Sequence, residues 1–325
     1  MTAAAPPFAK HLAANGGYPH SARYTLTCVK DKKTRDKAVK SLATFLSLDE
    51  QEPISKPDMD KLWKGIFYCF WMSDKPLVQQ ALATDLAELL LTTKSSNSSL
   101  SFLSGFWEAI VREWNGIDRL RLDKYYMLVR RFVNATFRLL AREKWDASAC
   151  ETYNQMLSRE GGPLCPNDIR VPTSLAYHLA DIYLQELNKA LASSDPAPLP
   201  APLLTVLSPF IHLIAQTPTS ITYKRIQGEV FVPLFEALAP PEEDAPPTKK
   251  RRLDSDDSAA QTNQNYPALV ANACYDDPES GPMGREELRE KLLRRIFDVA
   301  SEPETRDSSR RKMYAFFKES SGRAQ

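Results

Sequence analysis

Cysteine is scarce in this sequence. The five residues Cys28, Cys69, Cys150, Cys165 and Cys274 are odd in number, widely separated and never in a CxxC pair. That pattern speaks against a disulfide framework and against a zinc site, all the more because His11, His20, His178 and His212 are scattered with no cysteine at ligand spacing. No run of eighteen apolar residues exists. The best candidate, Pro202 to Ala215, is cut by Pro209 and too short to span a bilayer, so no membrane partner is expected. The opening MTAAAPPFAKHLAA has no charged region followed by an apolar run, which leads us to expect a chain of the cytosol or nucleus with reduced thiols. A strong charge of one sign is also missing, since 42 Lys/Arg face 41 Asp/Glu. There is no GxxxxGK[ST] loop, GxGxxG fingerprint, HExxH or GxSxG, and Asp118 and Asp123 lie about 140° apart on a helix. An enzyme is therefore not expected, and neither is a cofactor, a metal or a catalytic residue.

What is present is helical periodicity in a chain of 325 residues with 43% hydrophobic content, enough for a sizeable core in one large or two ordinary domains. Nearly every strong apolar pattern has the helical period, and no Val/Ile/Thr alternation is bounded by turns as a sheet requires. The spacing predicts helices at roughly Lys33–Leu48, Asp58–Trp71, Pro76–Leu91, Ser101–Trp114, Asp118–Glu143, Ala147–Arg159, Pro172–Leu191, Pro202–Gln216 and Ile221–Leu238. Helices of this length joined by short polar turns give an all-α reading: an antiparallel, HEAT-like stack over residues 1–238, without an exact internal repeat.

The stretch from Trp107 to Tyr126 combines the turn dipeptide Asn115-Gly116 with a good N-cap, Asp118, and opens the longest helix. Between Arg112 and Lys144 there are nine Lys/Arg and four Asp/Glu. Lys124, Arg131, Arg138 and Arg142 project within roughly a 40° sector of that helix, with Arg119 and Arg121 in its first turn. This face is either an ordinary solvated surface or a contact for RNA or an acidic partner. Trp63, Phe67, Phe70 and Trp71 fall at spacings of three and four; they read as an aromatic core stripe or as interface anchors, and Trp63, Trp71 and Trp114 are the candidate anchors.

From Ala239 the composition turns to proline, acid and small polar residues, so 239–284 is expected to be a disordered acidic linker. Its four basic residues, Lys249, Lys250, Arg251 and Arg252, are packed together in the form of a nuclear-import signal, which implies an import receptor as partner. Beyond it, Leu288, Leu292, Ile296 and Val299 make one stripe, and Ser301-Glu302-Pro303-Glu304 has capping-box form before a second helix. This pair, over 285–320, must pack on the rest of the chain or on a partner, being marginal alone.

Three segments together resemble the nucleolar ribosomal RNA processing protein 1 family, also called the Nop52 family: Leu62 to Pro76 (LWKGIFYCFWMSDKP), Trp114 to Arg131, and Leu293 to Glu319. FAKHLAAN from Phe8 and DKKTRDKAVKSL from Asp31 are similar to the family's opening. One departure is Gly16 to Lys30, which reads as a loop insertion between those two segments or as an artefact of the gene prediction. The resemblance implies a nuclear, chiefly nucleolar, helical assembly factor for large-subunit precursor particles, required for pre-ribosomal RNA processing. Its partners would be other ribosome assembly factors and pre-ribosomal RNA or the preribosomal particle.

Two functions compete. A non-enzymatic scaffold would hold partner proteins and RNA in register, with apolar anchors carrying the affinity. A stand-alone, sequence-tolerant RNA-binding protein would lose affinity steeply with salt. A net charge of only +1 favours the scaffold.

Overall fold

A computed structural model describes residues 39–40, 42–44, 46, 54–93, 95–192, 198–240 and 266–322. Gly16 to Lys30 and the basic cluster Lys249 to Arg252 lie outside the described residues. Twelve α-helices follow in order: α1 (Lys56–Trp71), α2 (Pro76–Thr92), α3 (Ser96–Glu113), α4 (Arg119–Arg142), α5 (Ala147–Ser158), α6 (Thr173–Ala192), α7 (Leu203–Gln216), α8 (Ser220–Ile226), α9 (Val232–Ala237), α10 (Pro267–Ala271), α11 (Arg285–Ser301) and α12 (Asp307–Gly322). The described residues between 39 and 46 are helical as well, with Leu42 and Leu46 buried.

The chain alternates between two layers. Helices α1, α3, α5 and α7 pack in sequence along one, and α2, α4, α6 and α8 along the other. Side-chain bonds fix the direction of the second layer. Lys124 and Arg138 of α4 reach Ser73 and Glu88, while Arg130 and His178 tie α4 to α6, and Tyr177 and Asp181 tie α6 to Thr222 and Arg225 of α8. Partners advance together along both chains, so α2, α4, α6 and α8 run parallel and their first turns share one edge.

Local sequence explains where each helix starts and what holds it. Asp118 accepts from the Arg121 amide at 3.1 Å, Asp146 from the Ala149 amide at 2.9 Å, and Pro76 sits in the first turn of α2, where its missing N–H costs nothing. Gly105 lets α1 and α3 approach: a Cβ built there would stand 2.3 Å from Trp63 Cδ1. Pro209, inside α7, deprives the Thr205 carbonyl of its i+4 donor. Asn154 of α5 supplies the missing bond, Nδ2 to Thr205 O at 2.8 Å. Replacing Asn154 by Leu leaves that carbonyl unpaired and is expected to cost about 2 kcal/mol, measurable as a lowered midpoint in urea.

Three expectations change. The helix expected at Ile221–Leu238 is α8 and α9 joined by a π turn at Gln227–Phe231, because Pro233 has no N–H for the Glu229 carbonyl and the backbone widens just before it. The linker expected over 239–284 is too long. From Tyr266 the chain is folded: Leu269, Val270, Ala273 and Cys274 are buried, Asn188 Oδ1 accepts from the Ala268 and Leu269 amides, and Ala273–Cys274 pairs in parallel with Ala201–Pro202. The apolar LVANAC stretch was hidden by the polar average around it. The capping box at Ser301 does not form, since α11 runs through Ser301 and α12 begins only at Asp307; Ser301 Oγ instead donates to Asp298 O.

The pair α11–α12 packs in cis on α7. The Arg306 amide donates to Ala215 O at 3.1 Å, its Nε to Gln216 O at 2.6 Å, and Phe316 meets Phe235 with ring centroids 5.7 Å apart.

Candidate functional site

Helix α4 lies at the centre of its layer, between α2 and α6, and stacks Phe132 on Phe106 of α3. A helix enclosed on three sides has little solvated surface, and this decides the fate of the expected basic face. Lys124 is 6% exposed. Its Nζ donates to Trp71 O at 2.6 Å and Ser73 O at 3.0 Å, closing the C-terminal end of α1, where carbonyls lack intrahelical partners. Arg138 forks onto the carboxylate of Glu88 in α2. Arg142 divides itself between Glu143 at 2.9 Å and Leu91 O at 3.0 Å. Arg121 pairs with Asp118 and lies over the Trp71 ring, 5.0 Å from its centroid. The seven-residue spacing does bring Lys124, Arg131 and Arg138 to one side, where Lys124 bonds to the end of α1 and Arg138 to α2 while Arg131 stays exposed. Of the contact candidates, Lys124 is thus buried in bonds within the chain, while Arg121, Arg138 and Arg142 are bonded within the chain and stay partly exposed. Arg119 and Arg131 are exposed and make no ion pair among the described residues.

The tryptophan anchors divide similarly. Trp63 is buried, donates Nε1 to Phe102 O at 3.0 Å and packs against Phe102, Phe106 and Phe132. Trp114 is buried too, donating Nε1 to Ser174 Oγ at 2.9 Å beside Tyr126. Both belong to the core, because large aromatic rings at helical spacing fill the space between layers. Trp71 alone is half-buried, its ring shared by Phe67, Tyr125 and Arg121.

Burial pushes the Lys124 ammonium down to about 8, against the partial compensation of Asp74. Between pH 8 and about 10.5 the unfolded chain binds a proton at this lysine that the folded chain has released. Stability therefore rises with pH across that window. Relative to Lys124→Met, the intact protein is expected to gain on the order of 2 kcal/mol from pH 8 to 10.5, read from urea unfolding of both at each pH; a flat difference would show that Lys124 is not desolvated. Other titrations cancel in the comparison.

No group of three or more His, Cys, Asp or Glu that could hold a metal ion occurs among the described residues, and no helix among them is long and apolar enough to cross a membrane. His178 is half-buried with Nε2 3.0 Å from Tyr126 O, an internal bond between α4 and α6, and burial lowers its pKa.

Large aliphatic side chains are exposed at the shared edge where α2, α4 and α8 begin. The second residue of α2, α4 and α8 is Leu77, Leu120 and Ile221, at 79%, 94% and 73% exposure, and Ile169, in the loop leading into α6, is 99% exposed. Sequence reading missed these four, since Leu77, Leu120 and Ile221 look like further apolar residues of amphipathic helices and Ile169 lies between two expected helices. The available signal was that Leu77 follows Pro76 directly and that Leu120 and Ile221 come two residues after the N-caps Asp118 and Thr219, where a helix has not yet entered its layer.

Comparison with known proteins gives a consistent match. The family described as "Nucleolar protein, Nop52" matches residues 26–317. Ribosomal RNA processing protein 1 homolog B of Homo sapiens is 35% identical over 248 residues, 74% of this chain and 31% of the relative. Ribosomal RNA processing protein 1 homolog A of Homo sapiens is 29% identical over 311 residues, 87% of this chain and 66% of the relative. A homolog from Drosophila melanogaster is 33% identical over 164 residues, 50% of this chain and 23% of the relative. The chain thus spans less than two thirds of the length of these relatives. With the match covering most of the helical stack and its C-terminal pair, this chain belongs to the Nop52 family of nucleolar proteins.

Proposed function

We propose that this chain is a non-enzymatic assembly factor of the preribosome in the nucleolus, acting in ribosomal RNA processing and large-subunit formation as a docking scaffold for proteins and RNA. The relatives are named ribosomal RNA processing proteins, which supports the process. The observation that carries the scaffold reading is the fate of the α4 cations: Lys124, Arg121, Arg138 and Arg142 are bonded inside the chain, while large aliphatic side chains are left in water at one edge. Such a surface rewards apolar docking more than phosphate binding. Pre-ribosomal RNA contacts would fall to cations such as Arg119 and Arg131, and Lys249, Lys250, Arg251 and Arg252 would engage an import receptor.

The test is affinity purification from nuclear extract with and without RNase, at low and high salt. A defined set of assembly factors that survives RNase and a rise to 0.3 M salt is expected, because Debye screening to roughly 5 Å weakens charge contacts far more than apolar ones. Loss of every partner under RNase would replace the scaffold with a stand-alone RNA-binding protein.

A further inference from the structure

We draw no further inference here: the strongest candidate, the surface patch of exposed Leu77, Leu120 and Ile221 at the edge where α2, α4 and α8 begin, lies among exposed cations and acids alike, and nothing in the structure shows what covers it.

Discussion

Gly105→Ala is expected to destabilise the protein by about 3 kcal/mol, although the same change in an open helix stabilises by about 1 kcal/mol. The reversal comes from the crossing of α1 and α3. An added Cβ would stand 2.3 Å from Trp63 Cδ1, 2.5 Å from Trp63 Nε1 and 2.8 Å from Met59 Cγ, all well inside contact distance. Trp63 cannot swing away freely, because its ring is held among Phe102, Phe106 and Phe132 and its Nε1 donates to Phe102 O. Either the helices separate or that hydrogen bond breaks, and both costs are large beside the helix-propensity gain. Thermal melting should show a midpoint roughly 6 °C lower. A Trp63→Phe change in the same chain should recover part of the loss by removing the clashing ring atoms, a coupling that a double-mutant cycle reads directly. An unchanged or raised midpoint for Gly105→Ala would mean that α1 and α3 do not approach through this glycine.

The helices themselves were legible in the sequence, since periodicity and caps act locally: Asp118, Pro76 and the Asn115-Gly116 turn mark their ends in the folded chain as expected. Orientation was not legible to the same degree. Spacing placed Lys124, Arg131 and Arg138 on one side of α4, but nothing local says whether that side meets water or another helix. The answer depends on Ser73 and Trp71, some fifty residues away in sequence, whose carbonyls accept hydrogen bonds from Lys124 Nζ. Trp63 and Trp114 pose the same problem, because an aromatic stripe looks identical whether the covering surface is α3 or a partner. Pro209 shows a middle case: the broken bond was visible in the sequence, and the repair by Asn154 was not.

The folded strap at 266–284 was missed for a different reason. Composition averaged over a long polar window conceals a short apolar run, and Leu269, Val270 and Ala273 are enough to fold it once Asn188 and the Ala201–Pro202 bridge receive its backbone. The exposed Leu77, Leu120 and Ile221 were missed because they are unexceptional one by one. Only the parallel arrangement of α2, α4 and α8 gives Leu77, Leu120 and Ile221 a common location.

Reversing the charge at Lys124 is expected to unfold the protein, whereas reversing it at Arg119 and Arg131 should leave the fold intact. In Lys124→Glu a carboxylate would face the Trp71 and Ser73 carbonyls that now accept from Nζ, with Asp74 close enough to act on the site electrostatically. Acceptors would face an acceptor, and the site would hold an unpaired charge with little access to water. Such a charge costs about 3–5 kcal/mol, comparable with the net stability of an ordinary domain, about 5–15 kcal/mol. Lys124→Met, which leaves the Trp71 carbonyl unpaired but adds no charge, while Gln79 Nε2 still donates to Ser73 O, is expected to cost about 1–3 kcal/mol. Arg119 and Arg131 are exposed and unpaired among the described residues, so Arg119→Glu with Arg131→Glu should shift stability by less than about 1 kcal/mol in total. Circular dichroism and urea unfolding of the three variants check the order. A folded Lys124→Glu of near-native stability would return Lys124 to the surface and with it the basic face of α4. If the order holds, only the Arg119, Arg131 variant can report on binding, and any failure of the Lys124 variant to join precursor particles must be read as loss of the fold.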